Sequence, residues 1–251
     1  MDTAIDLLSS WMNDARSAVF FGGAGVSTAS GIPDFRSAAG LYVTAAGNGR
    51  EPEYLLSHEC LIAEPAEFFT FHRTHLVHPE AKPNRAHLAL ARLEDSGHLA
   101  AVVTQNIDGL HQAAGSRTVH ELHGSVERNH CVQCGRAIDL ADIPDEPVIP
   151  VCPDCGGMVR PDVVLYGEGL DEQVIDASIR AIQQADVLIV GGTSLNVYPA
   201  AGLIRYYRGH RLVLINLTET PADKGADLVI HSPIDEVLDT VVQRNCDTTP
   251  R

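Results

Sequence analysis

The clearest shortage in this sequence is of positive charge. Its 251 residues include 18 lysines and arginines against 33 aspartates and glutamates, which gives a formal net charge of −15. A deficit of this size argues against a nucleic-acid partner and is compatible with basic peptides, although the usual meaning of such a balance is solubility alone. The chain also lacks internal repeats and low-complexity segments.

Long hydrophobic runs are missing as well. The longest apolar stretches fall far short of the roughly 20 residues that span a bilayer, although 45% of the residues are hydrophobic, which is ample for a core. The N-terminal segment MDTAIDLLSSWMNDARS is acidic and has no apolar block typical of a signal peptide. We therefore expect a cytoplasmic protein without a membrane partner, built as one large domain or as a large domain with a smaller lobe.

Strands that alternate with helices predict the fold class. Apolar runs predict strands at 18–21, 99–103, 163–168, 187–190, 212–215 and 227–230. Helical patterns occur at 2–16, 53–78, 84–95, 171–185, 199–208 and 233–244. This alternation predicts an α/β fold with a parallel, doubly wound sheet. In such sheets ligands bind beyond the C-terminal ends of the strands, where this chain has small and polar residues.

The first candidate ligand site is the glycine-rich segment AVFFGGAGVSTASGIPDFRS at residues 18–37. A buried strand that breaks into Gly23 and Gly25 predicts a tight turn whose backbone N–H groups approach a pyrophosphate, with a following helix N-terminus adding a favourable dipole. Thr28 occupies the third glycine position of G-x-G-x-x-G, so the dinucleotide fingerprint is incomplete and a purely structural turn is the alternative.

The residues after this turn separate the chain from a standard dehydrogenase. The tail GIPDFR at 31–36 sets an acid, an aromatic and a guanidinium side by side, where an ordinary helix would continue. A dehydrogenase would have a second strand ending in a ribose-binding acid within residues 38–53. Glu51 and Glu53 are present, but nothing strand-like precedes them. The sequence therefore disfavours hydride transfer.

Four of the six cysteines form two matched C-x-x-C pairs. The pairs Cys131/Cys134 and Cys152/Cys155 are 17 residues apart, and a glycine follows each pair. This spacing can place four thiolates tetrahedrally around Zn²⁺. A redox pair and four unliganded thiols are the alternatives, but two matched pairs without a helix-forming sequence after either disfavour the redox reading. Four cysteine ligands leave no open position, so the predicted zinc is structural.

These motifs, taken in order with several others, indicate a family. The matching blocks are GAGVSTASGIPDFRS (23–37), TQNIDGLH (104–111), ELHGS (121–125), the two C-x-x-C pairs, RPDVVLYGE (160–168), GGTSLNVYPA (191–200) and LINLTETP (214–221). With them the chain resembles a bacterial-type member of the sirtuin family, the NAD-dependent protein deacylases. The resemblance implies a Rossmann-like domain made of residues 1–36, 84–125 and 161–251. It also implies a small lobe made of a helical insertion (37–83) and a zinc-binding module (126–160).

The resemblance also implies a reaction that consumes NAD. The acetyl group of a protein lysine is removed, giving free lysine, nicotinamide and O-acetyl-ADP-ribose. Mono-ADP-ribosyl transfer, a preference for other acyl groups and a non-catalytic NAD sensor are the alternatives. His123, within ELHG, matches the family's general base, a role that suits histidine because its unperturbed pKa lies near working pH. His111 and His120 are weaker candidates, and Asn106 would orient ribose and a bound water.

The same resemblance assigns the binding residues. The implied NAD-binding set is Gly23, Ala24, Gly25, Thr28, Asp34, Phe35, Arg36, Gln105, Asn106, Ile107, Asp108, His123, Gly192, Thr193, Ser194, Asn216 and Ile234. Val163, Tyr166, Gly167 and Glu168 would bind the substrate peptide by strand addition. Tyr166 stands where many members have phenylalanine, which adds a hydroxyl near the acyl-lysine channel. The oligomeric state is left open.

Acyl preference is implied by a further comparison with the family. Members that act on acidic acyl groups carry a tyrosine and an arginine three residues apart in the helical lobe. Phe69 and His72 occupy those places, and no Tyr-x-x-Arg occurs in the chain. We therefore expect short neutral acyl groups to be preferred. Arg73, one residue out of register, is the side chain that would overturn this expectation if it pointed inward.

Overall fold

A computed structural model describes residues 2–35, 40–42 and 50–246. The helices are α1 (Asp2–Asp14), α2 (Pro52–Leu55), α3 (His58–Ala63), α4 (Pro65–His75), α5 (Arg85–Asp95), α6 (Leu110–Ala113), α7 (Glu172–Gln184) and α8 (Ile234–Cys246). The strands are β1 (Ala18–Gly22), β2 (Leu99–Thr104), β3 (Val119–Glu121), β4 (Gly124–Cys131), β5 (Ala137–Asp139), β6 (Val159–Val163), β7 (Val187–Gly191), β8 (Leu212–Ile215) and β9 (Leu228–Ile230). In this part of the chain, no helix has the length and apolar content needed to cross a membrane.

Six parallel strands form the main sheet in the order β3-β2-β1-β7-β8-β9. All five residues of β1 are buried, because this strand is central and helices cover both faces. Gly22 at its end lies opposite Thr104 of β2 and Gly191 of β7. The predicted doubly wound α/β fold is confirmed, and the C-terminal ends of the three central strands lie side by side.

Alternation along β1 divides the core into two layers. Phe20 packs with the apolar faces of α1, α5 and α8, where Leu8, Leu90 and Leu238 are fully buried. Phe21 packs on the opposite face with residues such as Ile182 of α7. Successive strand side chains point to opposite faces, so a run that is apolar throughout is expected when helices cover both sides.

A second, antiparallel sheet has the order β5-β4-β6, and the paired cysteines lie at the end of β4 (Cys131) and in the segments between these strands (Cys134, Cys152 and Cys155). A separate apolar cluster joins this region to α2, α3 and α4, with Phe68 and Phe71 packed in the same cluster as Val126 and Leu165. The Arg73 guanidinium on α4 donates hydrogen bonds to backbone carbonyls of residues 144, 145 and 147. It therefore binds the cysteine-bearing segment.

Three predicted elements differ from the structure. The single helical stretch predicted for 53–78 is three helices, because Ser57 caps α3 by accepting the Cys60 N–H (3.0 Å) and Pro65 starts α4 anew. The helix predicted at 199–208 is a 3₁₀ helix over Ala200–Tyr206. The extended run predicted for 163–168 overlaps β6 only at Val163, and a turn follows in which the Glu168 N–H donates to the Leu165 carbonyl (2.9 Å).

Candidate active site

Loops that follow four parallel strands meet at one edge of the sheet. The segment after β1 begins at Gly23, the one after β2 at Gln105, the one after β7 at Gly192, and the one after β8 at Asn216. The strands are parallel neighbours, so their C-terminal ends bring these four polar segments together. This is the edge at which the sequence predicts a ligand.

The two glycine-bearing loops pack against each other through backbone. The Gly25 N–H donates to the Gly192 carbonyl (2.8 Å), and a Cβ placed on Gly25 would lie 2.9 Å from the Gly192 Cα. Only glycine allows this approach. The α-helix expected after the turn is absent here: two 3₁₀ turns, Ala24–Val26 and Thr28–Ser30, take its place. The N-terminal dipole of a long helix therefore does not operate at this loop.

A first cleft, which we call the glycine cleft, lies beside these loops. Its lining includes fourteen of the residues predicted to bind NAD: Gly23, Ala24, Gly25, Thr28, Asp34, Phe35, Gln105, Asn106, His123, Gly192, Thr193, Ser194, Asn216 and Ile234. Asn216 Oδ1 accepts the Thr193 N–H (3.0 Å), whereas its buried Nδ2 has no hydrogen-bond partner among the described residues. A buried donor left in this way is a good fit for a ligand hydroxyl or phosphate.

A second cleft, the apolar cleft, begins at the same point and extends toward the helical lobe. Leu56, Leu76 and Leu165 line it, and so do Ile107 and Asp108. No lysine or arginine is found among the described residues that line it. Six residues line both clefts: Ala24, Phe35, Gln105, Asn106, His123 and Val197.

The imidazole ring of His123, which lines both clefts, is held by a hydrogen bond to backbone. Its Nδ1 lies 2.9 Å from the backbone carbonyl oxygen of Gln105, which can only accept, so Nδ1 carries the proton. The lone pair is therefore on Nε2. Burial lowers the pKa of His123 below the usual value, and the hydrogen bond to Gln105 offsets part of that effect. A histidine in this state is neutral near pH 7 and can accept a proton at Nε2.

Asp108 and Asn106 are joined through a serine that the sequence analysis did not single out. Ser27 Oγ donates to Asp108 Oδ2 (2.6 Å) and accepts from Asn106 Nδ2 (3.0 Å). The same hydroxyl lies 3.4 Å from Nε2 of His87, and burial lowers the pKa of that histidine to about 4. The sequence did offer one indication for Ser27, namely its position in the glycine-rich segment. A hydroxyl in that segment lies beside the residues that follow β2.

The predicted substrate loop is tied to the rest of the protein by its backbone. The Tyr166 N–H donates to the Leu56 carbonyl (3.1 Å), and its carbonyl accepts the His58 N–H (3.0 Å). The Val164 N–H donates to the carbonyl of His123 (3.0 Å). These groups are already paired, so fewer are left for a peptide than an open strand edge would offer.

Glu168 holds this loop in shape. Its carboxylate accepts hydrogen bonds from Arg160 (2.6 and 3.0 Å), from the Leu165 N–H (2.9 Å) and from His58 (2.8 Å). Burial alone would raise its pKa, but these donors outweigh burial and hold the pKa at about 2. The side chain is therefore ionised and committed to contacts within the protein.

Several other predicted residues have distinct placements. Val163, Tyr166, Gly167 and Glu168 all line the apolar cleft. Ile234 reaches the glycine cleft but is mainly a core residue beside Gly191. Arg36 lies outside the described residues.

The structure also changes the view of the acyl pocket. Phe69 is buried in the cluster beneath it, and His72 stacks on Phe68 with ring centroids 5.8 Å apart, so neither lines the apolar cleft. His75 and Leu76 line it instead. Nothing in the sequence indicated this, because the exposed face of α4 depends on how the helix packs.

The four paired cysteines form a cluster that fits a structural zinc ion. Their Sγ atoms all lie within 4.8 Å of one another, with Cys131–Cys155 at 3.5 Å and Cys134–Cys152 at 3.7 Å. A tetrahedron with Zn–S bonds of about 2.3 Å has sulfur atoms about 3.8 Å apart. In both C-x-x-C turns, the N–H of the glycine that follows the second cysteine (Gly135 or Gly156) donates to the carbonyl of the first cysteine, at 2.9 Å in each case. The predicted zinc site is thus assembled by two equivalent turns.

The fold and the two clefts define a class of NAD-binding α/β proteins with an added zinc module. The model of the Sir2 family matches residues 23–199, and the chain belongs to this family. An NAD-dependent protein deacetylase of Cutibacterium acnes is 59% identical over 234 residues, covering 93% of this chain and 96% of the relative. Another, from Clostridium acetobutylicum, is 55% identical over 239 residues, covering 95% and 98%.

Solved structures give the same result. A Sir2 complex with a p53 peptide and NAD⁺ is 37% identical, has a TM-score of 0.84 and covers 97% of this chain and 99% of its own. A complex of a Sir2 homologue with NAD is 35% identical, has a TM-score of 0.86 and covers 96% and 94%. The predicted sirtuin relationship is confirmed.

Proposed function

We propose that this protein is an NAD-dependent deacetylase of protein lysine residues. The observation that carries the proposal is the position of His123, which lines both the glycine cleft and the apolar cleft and whose Nε2 is unprotonated. A nucleotide in one cleft and an acyl-lysine in the other would meet at this nitrogen. The relatives named NAD-dependent protein deacetylases support the same activity.

The glycine cleft would hold NAD through backbone and amide groups. Gly23 and Gly25 leave the backbone open to the pyrophosphate, and the buried Nδ2 of Asn216 would donate to a ribose hydroxyl. Asp108 and the Ile107 backbone would bind the nicotinamide carboxamide, with Ser27 fixing the Asp108 carboxylate. When bound, NAD would supply the ribose that receives the acetyl group, and one water molecule would be consumed, so the products are lysine, nicotinamide and O-acetyl-ADP-ribose.

His123 would act as the general base. Its Nδ1–H is fixed on the Gln105 carbonyl, so Nε2 is directed to accept a proton from a ribose hydroxyl. Asn106 would orient the ribose, since its amide is held in place by Ser27. Phe35 lines both clefts and would shield the reacting groups from water.

The substrate would be an acetylated lysine within a peptide laid along residues 163–168. The apolar cleft suits an acetyl-lysine side chain, and the net charge of −15 suits basic neighbouring residues. The proposal includes a cytoplasmic location, consistent with cysteines paired for metal. It also includes the domain boundaries: residues 1–36, 84–125 and 161–251 would form the Rossmann-like NAD-binding domain. The helical insertion 37–83 and the zinc-binding module 126–160 would form the small lobe.

The direct test is mass spectrometry of an acetyl-lysine peptide incubated with protein and NAD. We expect deacetylated peptide and O-acetyl-ADP-ribose, and a fall of about 10²–10⁴-fold in rate for His123→Ala. Binding of ADP-ribose by that variant should be nearly normal. His120→Ala is the matched control, because His120 lies on β3 and lines neither cleft.

The same experiment separates the competing activities. If His123→Ala turns over at a nearly normal rate, another residue is the general base. Stoichiometric transfer of label from the adenylate half of NAD to protein, without deacetylated peptide, would instead indicate an ADP-ribosyltransferase.

A further inference from the structure

The loop between β7 and the 3₁₀ helix Ala200–Tyr206 has an unusual backbone conformation. Leu195, in this loop, has a φ of +55° and is the one non-glycine residue with a positive φ in the described part of the chain. In this left-handed conformation the Cβ lies too close to a carbonyl oxygen, so glycine, and occasionally asparagine or aspartate, adopts it readily. Such conformations persist where the surrounding structure stabilises them, and they cluster at ligand sites.

The side chain of Leu195 provides this stabilisation. It is 9% exposed and belongs to the apolar core layer that contains Val190 of β7 and Leu203 of the 3₁₀ helix. Burial of a leucine side chain changes an equilibrium by about 10- to 160-fold, whereas a left-handed backbone opposes it by about five- to thirtyfold. The two effects are similar in size. A variant that lost the packing but kept a Cβ would therefore leave the backbone strain without compensation.

The turn at Leu195 directs the neighbouring residues to the glycine cleft. Thr193, Ser194, Asn196 and Val197 line that cleft, whereas Leu195 lines neither cleft. Ser194 and Asn196 are exposed on either side of the buried Leu195. The left-handed backbone thus allows one side chain to enter the core while the residues before and after it face the ligand site.

The same turn determines what the Thr193 hydroxyl can offer to a ligand. The Leu195 N–H donates to Thr193 Oγ1 (3.2 Å), and Gln105 Nε2 donates to the same oxygen (3.1 Å). A hydroxyl oxygen has two lone pairs, and both are used here. The Thr193 N–H is bound to Asn216 Oδ1 (3.0 Å). The hydroxyl proton is therefore the donor that Thr193 presents to a phosphate or ribose oxygen in the glycine cleft.

We propose that Leu195 is a positioning residue for NAD binding, which holds the loop after β7 in its binding conformation by core packing against a strained backbone. The inference rests on the proposed function in taking NAD as the occupant of the glycine cleft. Leu195 does not line that cleft and acts through Thr193 and Ser194. The affinity for the nucleotide is lowered in proportion to the fraction of molecules whose loop has left this conformation.

Alanine and glycine at position 195 have different effects on the strain. Leu195→Ala removes most of the packing but keeps a Cβ, so the loop relaxes, and the affinity for the nucleotide falls by about five- to thirtyfold. Leu195→Gly removes the packing and the strain together, because glycine adopts a positive φ as readily as a negative one. Part of the lost affinity is therefore recovered in Leu195→Gly. If Leu195 acted by packing alone, glycine would be the worse replacement, since it also makes the loop more flexible.

The experiment is a calorimetric titration of the wild type and the variants with ADP-ribose. We expect the Kd of Leu195→Ala to be about five- to thirtyfold above that of the wild type, and the Kd of Leu195→Gly to lie between the two. Thermal unfolding is a second measurement that needs no ligand. Leu195→Gly should have a Tm equal to or above that of Leu195→Ala, because alanine is strained at a positive φ.

Leu203→Ala and Leu203→Gly are the matched controls. Leu203 is 4% exposed in the same apolar layer, has a negative φ and lines neither cleft. Both variants should lower the Tm, glycine more than alanine, because no strain is relieved and glycine loses more conformational freedom on folding. Both should bind ADP-ribose with the Kd of the wild type.

The outcomes separate this inference from the proposed function. If the wild type binds ADP-ribose but Leu195→Ala binds it equally well, or Leu195→Gly binds it no better than Leu195→Ala, the inference is wrong. A similar loss of affinity in the Leu203 variants also overturns it, because any loosening of the core would then suffice. A wild type that binds no ADP-ribose overturns NAD binding, and with it both proposals. If the Kd values follow the expected order but the wild type does not deacetylate the peptide, the proposed activity alone is wrong.

Discussion

Gly124→Ala tests how His123 is held in place. Gly124 follows His123 directly, starts β4 and has a φ of +75°. A Cβ built on it would overlap the carbonyl oxygen of Asp162 and lie 2.9 Å from the carbonyl carbon. Asp162 is on β6, one residue before Val163, where the predicted substrate loop begins. We predict that the variant is less stable and also less active.

The structure allows the loss of stability to be divided into two parts. A left-handed backbone costs a non-glycine residue about 1–2 kcal/mol. Overpacking against neighbouring atoms adds about 1–3 kcal/mol, and the atoms here belong to backbone that cannot rotate away. The total of about 2–5 kcal/mol corresponds to a fall in Tm of about 4–20 °C for a chain of this size.

Gly97→Ala is the matched control for the backbone part. Gly97 has a φ of +80°, and a Cβ placed on it would have nothing within 4 Å, so only about 1–2 kcal/mol should be lost. Thermal unfolding gives the two Tm values, and kcat/KM is measured at a temperature where both variants are folded. Only Gly124→Ala should reduce kcat/KM, because it displaces the β4–β6 contact beside His123. Equal losses of stability in the two variants would refute the clash argument.

Three further predictions concern the metal, the acyl group and pH. Protein purified without chelator should contain one zinc per chain, and Cys131→Ala should lose metal and activity together, because metal binding contributes folding energy; elemental analysis without zinc would contradict this. The kcat/KM for an acetyl-lysine peptide should exceed that for a matched succinyl-lysine peptide, because the described lining of the apolar cleft has no lysine or arginine and Arg73 binds carbonyls elsewhere. An equal or higher succinyl value would show that this assignment of the pocket is wrong. Burial lowers the pKa of His72 to about 4, so between about pH 6.5 and pH 4 the unfolded chain binds a proton that the folded chain does not, and stability falls as pH falls. The free energy of unfolding, measured with urea, should depend less on pH in His72→Leu than in the wild type. If the free energy of unfolding changes with pH equally in both proteins, His72 does not cause the dependence.

Local patterns sufficed for much of the fold and for the identity of the site. Apolar runs identified the central strands, because a strand covered by helices on both faces is apolar throughout. The spacing of the cysteines predicted the zinc site, since each knuckle is a local turn. Gly23 was singled out by its place in the glycine-rich segment, and Asn106 and His123 were singled out because each lies in a short motif that resembles a motif of the family. The assigned roles of these residues remain predictions.

The tertiary structure decided what depends on contacts between distant segments. Which nitrogen of His123 carries the proton follows from the carbonyl of Gln105, 18 residues away. Arg73 is directed to the cysteine-bearing segment by packing of α4, which a helical register alone does not reveal. Tyr166 meets Tyr42, 124 residues earlier, only because two loops converge on one edge of the sheet. Sequence patterns record local preferences, whereas these pairings arise from packing between segments that are far apart in the chain.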